Sequence, residues 1–118
     1  MTAVATDLLA DVDRMDAAAF AAHLAEDARL RFGNAEPVVG RGAIEAAIAG
    51  FFETIRGLRH RIVNAWDVGD VTILELEVTY TRLDGQEVPV PVVTIYQRGA
   101  ELIEDYRIYL DLAPVFAP

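Results

Sequence analysis

The chain contains no cysteine, no serine and no lysine. Each absence excludes a chemistry. Without cysteine there are neither disulfides nor thiolate metal sites, and a cytoplasmic setting is the simplest expectation. Without serine or cysteine the common hydroxyl and thiol nucleophiles are gone, and without lysine there is neither a Schiff base nor a P-loop. No apolar run approaches the roughly 18 residues of a membrane-span candidate. The opening Met1-Thr2-Ala3-Val4 lacks the basic n-region of a secretory signal. What remains for chemistry is Asp, Glu, His, Tyr, Thr and Arg, with arginine supplying all ten basic side chains. That set suits general acid–base work.

The 118 residues fit one domain spanning 1–118, and 53% hydrophobic residues are enough to build a core without staples. The net charge of −9 repels phosphate backbones and anionic membrane surfaces, so neither nucleic acid nor membrane is expected as a partner.

Two patterns divide the chain. Val4, Leu8, Leu9, Val12 and Met15 recur at helical spacing, with Asp7, Asp11 and Asp13 on the other face. Asp16 is a candidate N-cap for a second helix over 17–25, burying Phe20 and Leu24, with His23 as a surface or boundary residue. Arg29-Leu30-Arg31-Phe32 alternates as a short strand, and Val38-Val39 suggests another. A third helix is predicted over 43–56, with Ile44, Ile48, Phe51, Phe52 and Ile55 buried and Gly57 as its stop. Strands follow over 58–68, 71–83, 87–97 and 101–112, and Asp84-Gly85 makes the central hairpin turn. Pro89 and Pro91 sit two apart, so their missing N–H groups face one side, which calls for a sheet edge or bulge there. Residues 113–118 read as a tail. Helices followed by an antiparallel meander define an α+β fold, with N-terminal helices packed in a strongly curved, mostly antiparallel sheet.

Ala25-Glu26-Asp27-Ala28, Gly40-Arg41-Gly42-Ala43-Ile44 and the closing segment Ile103–Asp111, in that order and spacing, resemble the nuclear transport factor 2-like superfamily, in particular SnoaL-like proteins. The resemblance implies a cone-shaped α+β barrel (NTF2-like or cystatin-like) holding a conical pocket. It also implies a homodimer formed through the outer sheet face. Relatives include ketosteroid isomerases, limonene-epoxide hydrolases, polyketide cyclases, dehydratases and non-catalytic binding domains, so fold alone does not give the activity. The epoxide hydrolases' Arg and one Asp fall at Glu75 and Glu77, their other Asp at Ile108, and their water-holding Tyr and Asn at Leu30 and Phe32. The isomerases' Tyr, Asp base and second acid fall near Leu8 or Leu9, Phe32 and Val93. Neither set is matched.

The pocket expected from this resemblance takes a small, largely apolar organic ligand. Its polar groups are Glu77, Glu75 and His60 as acid–base candidates, since two carboxylates two apart on a strand share a face and a histidine titrates near neutrality. Alternation of Leu74, Leu76, Val78 and Tyr80 supports the opposite reading, in which the two glutamates face solvent. Tyr106, Asn64, Phe32, Leu30, Phe51, Ile55, Val92, Thr94, Ile108, Leu9 and Val12 complete the expected ligand-binding wall. Trp66 is expected in the core or the wall. Asp105, Arg107, Tyr109 and Asp111 take the other face as an ion-pair ladder or dimer surface. His23 and His60 lie on separate elements with no ligand spacing, so no metal and no cofactor is expected. The function expected is ligand binding with cofactor-free isomerase, cyclase, dehydratase or hydrolase chemistry, or binding and dimerisation without turnover.

Overall fold

The computed structural model describes residues 2–118, with side chains from Ala5 onward, so the Val4 side chain lies outside the described residues. Helix α1 spans Thr2–Asp13, α2 Ala17–Ala21 and α3 Arg41–Phe52. Strands run β1 Leu24–Phe32, β2 Val38–Val39, β3 Gly57–Val68, β4 Val71–Thr81, β5 Glu87–Arg98 and β6 Ile103–Tyr109, and α4 covers Ala113–Phe116. The six strands form one open sheet in the order β2-β1-β6-β5-β4-β3. All neighbours are antiparallel except β1 and β6. The α+β architecture is the one the element pattern implies.

Leu8, Phe20, Leu24, Ile44, Leu74 and Tyr96 are among the side chains sealed between helices and sheet. Burying each aliphatic one contributes about 1.5–3 kcal/mol.

The corner after α1 positions the site. Met15 N–H donates to the Val12 carbonyl at 2.8 Å and Asp16 N–H to the Asp11 carbonyl at 3.1 Å. This pair of bonds is a Schellman cap. Its left-handed residue is Met15, at φ +57°, where glycine would be easier. Asp16 then caps α2, its Oδ1 accepting from Ala19 N–H at 3.0 Å. Asp11 ties the same corner down. It accepts from His23 Nε2 at 2.7 Å and Arg14 at 2.6 Å. The His23 bond, then the Arg14 bond, hold its carboxyl below the usual carboxylate range.

Several expected boundaries move. The second helix stops at Ala21, because Leu24 pairs with Ile103 in a parallel ladder that overrides alanine's helical preference. The first short strand therefore starts at Leu24 and not at Arg29. Helix α3 ends at Phe52, before Ile55, where Thr54 Oγ1 donates to the Phe51 carbonyl at 2.6 Å and Arg56 N–H joins Thr81 of β4. The tail forms the short α4, whose Val115 is buried. The prolines behave as expected. Ladder pairing of β5 with β6 runs only from Val93 to Arg98, so Pro89 and Pro91 lie on a half-strand bonded to β4 alone.

Candidate functional site

An apolar cavity of about 40 Å³ lies between the helices and the inner sheet face. Phe20, Ile48, Phe51 and Phe52 close it from the helical side, with Val12. Phe32, Leu58, Tyr80, Val92, Thr94, Tyr106 and Ile108 form the sheet side. The remaining lining residue is His60, the sole member of the wall carrying an imidazole.

His60 has a specific partner. Asp13, the last residue of α1, accepts from His60 Nδ1 at 2.6 Å through Oδ1. The same carboxylate accepts the His60 backbone N–H at 3.1 and 3.2 Å. Side-chain exposure is 11% for His60 and 30% for Asp13, so the pair sits between cavity and solvent. With Nδ1–H given to Asp13, Nε2 is the nitrogen left to accept a proton. The carboxylate orients the ring, as the third member of a catalytic triad does.

Phenols supply the other polarity. Burial pushes the Tyr106 hydroxyl well above its ordinary pKa, with Tyr96 adding to the rise and a Thr94 hydrogen bond opposing it. Burial does the same to Tyr80. Both phenols therefore stay protonated at neutral pH. Tyr106 is fixed by Phe20, edge-on at 5.3 Å, and by Tyr96, stacked at 5.8 Å.

Of the expected wall, Val12, Phe32, Phe51, His60, Val92, Thr94, Tyr106 and Ile108 meet at the cavity. Leu9, Leu30 and Ile55 are buried in the core and do not line it. Glu75, Glu77 and Asn64 are not brought to it. In antiparallel strands, residues directly opposite share a face. His60 pairs with Val78 and Ile62 with Leu76, so Glu77, opposite Arg61, points outward. Glu75 is exposed and accepts from Asn64 Nδ2 at 2.8 Å, and Glu77 meets Arg61 at 3.4 Å. Asn64 is displaced by a bulge. The ladder slips between Ile62 and Asn64, so the side chain that strict alternation sends inward faces out. Past the same bulge, Trp66 is 49% exposed on the outer face and belongs to neither core nor wall.

Replacing Glu77 by glutamine should thus leave stability within about 0.5 kcal/mol of the parent. Urea unfolding of the variant checks this, and a larger loss would show that Glu77 does more than meet Arg61 on the outer face.

Asp13 was not legible as a site residue. Its partner lies 47 positions away, and on α1 it reads as part of the solvated face. Phe20, Ile48 and Phe52 carried a signal as buried helix positions, without indicating which would face a cavity. Among the described residues, no three of His, Asp and Glu converge as a metal site requires.

Helices inside a curved, open, six-stranded sheet, with a cavity between the layers, define the NTF2-like class of α+β folds. The chain belongs to the SnoaL-like domain family, whose model matches residues 5–106. It superposes on an NTF2-like protein of unknown function from Burkholderia pseudomallei with a TM-score of 0.89 at 13% identity, covering 99% of this chain and 97% of that one. A ketosteroid isomerase-like-fold protein from Catenulispora acidiphila, crystallised with trimethylamine, gives 0.87 at 21% identity, covering 97% and 89%. A putative SnoaL-like polyketide cyclase from Jannaschia sp. gives 0.78 at 21% identity, covering 97% and 92%. No curated protein sequence matches the chain. These likenesses concern the fold. Among the described residues, no helix is long and apolar enough to cross a membrane.

Proposed function

We propose that this chain binds a small, largely apolar carbonyl compound in its inner cavity and catalyses cofactor-free proton transfer at the carbon next to the carbonyl. The observation that carries this reading is the Asp13–His60 pair on an otherwise apolar, phenol-bearing cavity. His60 Nε2 takes the α-proton, and Asp13 stabilises the imidazolium that results. Tyr106 and Tyr80 are the candidate donors to the carbonyl oxygen, which becomes an enolate as the proton leaves. Return of the proton to the same or a conjugated carbon gives exchange or isomerisation, and attack of the enolate carbon on a second carbonyl gives cyclisation. Of the acid–base candidates Glu77, Glu75 and His60, this reading uses His60 alone, with Asp13 as its partner.

The test is deuterium exchange. In D2O the protein should exchange the α-hydrogens of short methyl ketones such as 2-butanone, followed by loss of their proton NMR signals. The same ketones should shift the His60 ring resonances. Shifts without exchange would favour the second reading, a binding domain without turnover, which the unmatched isomerase and hydrolase positions support. Neither shifts nor exchange would overturn both.

We infer in addition that a second copy covers the outer sheet face. Trp66, Val63, Val93 and Tyr109 are exposed there, beside Glu75, Glu77, Arg61 and Arg107, and two-fold pairing can match those charges. Light scattering should give twice the 12.9 kDa chain mass, and Trp66→Glu should return it to one. A monomeric wild type at high micromolar concentration would sink this interface.

A further inference from the structure

The inner cavity is small for the task assigned to it. Its roughly 40 Å³ holds about three waters, whereas pockets that bury an organic ligand start near 300 Å³. A second apolar space lies next to it. This groove of about 280 Å³ runs between the α3 surface at Ala47 and the β1–β2 region at Leu30, Ala35 and Val38, with Leu112. The two spaces share three walls, Phe32, Ile48 and Phe51. Phe32 and Phe51 are half-buried and meet edge-on at 4.9 Å. Phe51 stands in the last turn of α3, where Thr54 N–H and Oγ1 cap its carbonyl, so opening the contact is a movement of the Phe51 ring and not of the backbone.

Resting on the carbonyl-binding reading above, we propose that the two spaces are one extended site, joined when the Phe32–Phe51 contact opens. The ligand it takes is a carbonyl compound with an unbranched apolar chain. Its carbonyl end lies in the inner cavity by His60, and its chain passes between the rings into the groove. Two features of the groove select this occupant. Its wall is almost wholly aliphatic and aromatic, and the one charged member, Glu36, disfavours a chain ending in a carboxylate. Continuity through the shared rings ties the groove to the cavity and makes it part of the same site. The combined volume reaches the lower end of the ligand-pocket range.

The experiment is a chain-length series, 2-butanone through 2-decanone, titrated into the intact protein by calorimetry, with His60 ring shifts recorded in parallel. Affinity should rise about fourfold for each methylene that enters the groove, then level off. Ala47→Trp places an indole in the groove from an exposed helix position and should abolish the chain-length gain, with circular dichroism confirming the fold. Phe51→Ala removes one leaf of the contact and should speed association of the long ketones, read by stopped flow. Butanone shifting His60 with no gain on lengthening would overturn the extended site and leave the inner-cavity reading standing. Chain-length gain that persists at full size in Ala47→Trp would overturn the groove as the location of the chain. Failure of every ketone to shift His60 would overturn the reading on which this one rests, and with it the proposal.

Discussion

His60→Gln should lower ketone α-proton exchange by about 10²–10⁴-fold, the usual yield of a positioned general base. The exchange rate in D2O, measured against the uncatalysed background, checks it. Glutamine keeps a polar side chain of similar reach but has no nitrogen that can take a proton, so the chemistry is removed with little change in volume. The backbone N–H of residue 60 still donates to Asp13, which preserves the junction of α1 and β3. Asp13→Asn should cost less than His60→Gln but more than any outer-face change. Asparagine can still accept one hydrogen bond, yet it no longer stabilises the imidazolium and leaves the ring's tautomer unfixed. A His60→Gln protein exchanging ketone hydrogens at the wild-type rate would remove His60 as the base, whatever the ligand affinity.

The order of these effects follows from where the chain turns. Asp13 reaches His60 because the Schellman cap at Met15 ends α1 with its last residue over the start of β3. A sequence shows the helical repeat of α1 and the capping capacity of Asp16, both of which are local. It does not show that Asp13 meets a strand 47 residues on, because no periodicity links them. The sheet divides the same way. Inward Val92, Thr94, Tyr106 and Ile108 were what the family resemblance implied, and the registers of β5 with β4 and β6 keep them on one face. The faces of β4 were readable from Leu74, Leu76, Val78 and Tyr80. Placing Glu75 and Glu77 inside required setting that alternation aside in favour of an alignment with enzymes whose groups this chain lacks. Asn64 fails for a different reason. One extra residue at the Ile62–Asn64 slip reverses every later side chain of β3, and a bulge of that kind has no distinct composition here. The prolines of β5 did have one, and their edge was legible.

Phe20→Ala should cost about 3–5 kcal/mol, a fall of about 10–20 °C in melting temperature for a domain of this size. Thermal and urea unfolding measure it. The reason lies in how little else holds α2. Five residues cannot sustain a helix alone, and its N-cap at Asp16 contributes about 1 kcal/mol. Phe20 supplies the anchor, 2% exposed and edge-on to Tyr106 at 5.3 Å. Its loss removes buried area and an aromatic contact, and it leaves a void that the stacked Tyr96–Tyr106 pair is poorly placed to fill. Because Phe20 also lines the inner cavity, the void opens into the space beside His60. The variant should therefore lose stability while admitting bulkier ketones, such as cyclohexanone, that the parent excludes. Cyclohexanone should recover part of the lost melting temperature, since a ligand that binds only the folded state stabilises it by mass action. Purely structural packing at Phe20 predicts the loss without any recovery by cyclohexanone. A cyclohexanone rescue in Phe20→Ala that the parent does not show would identify this residue as the one that sets the cavity's size.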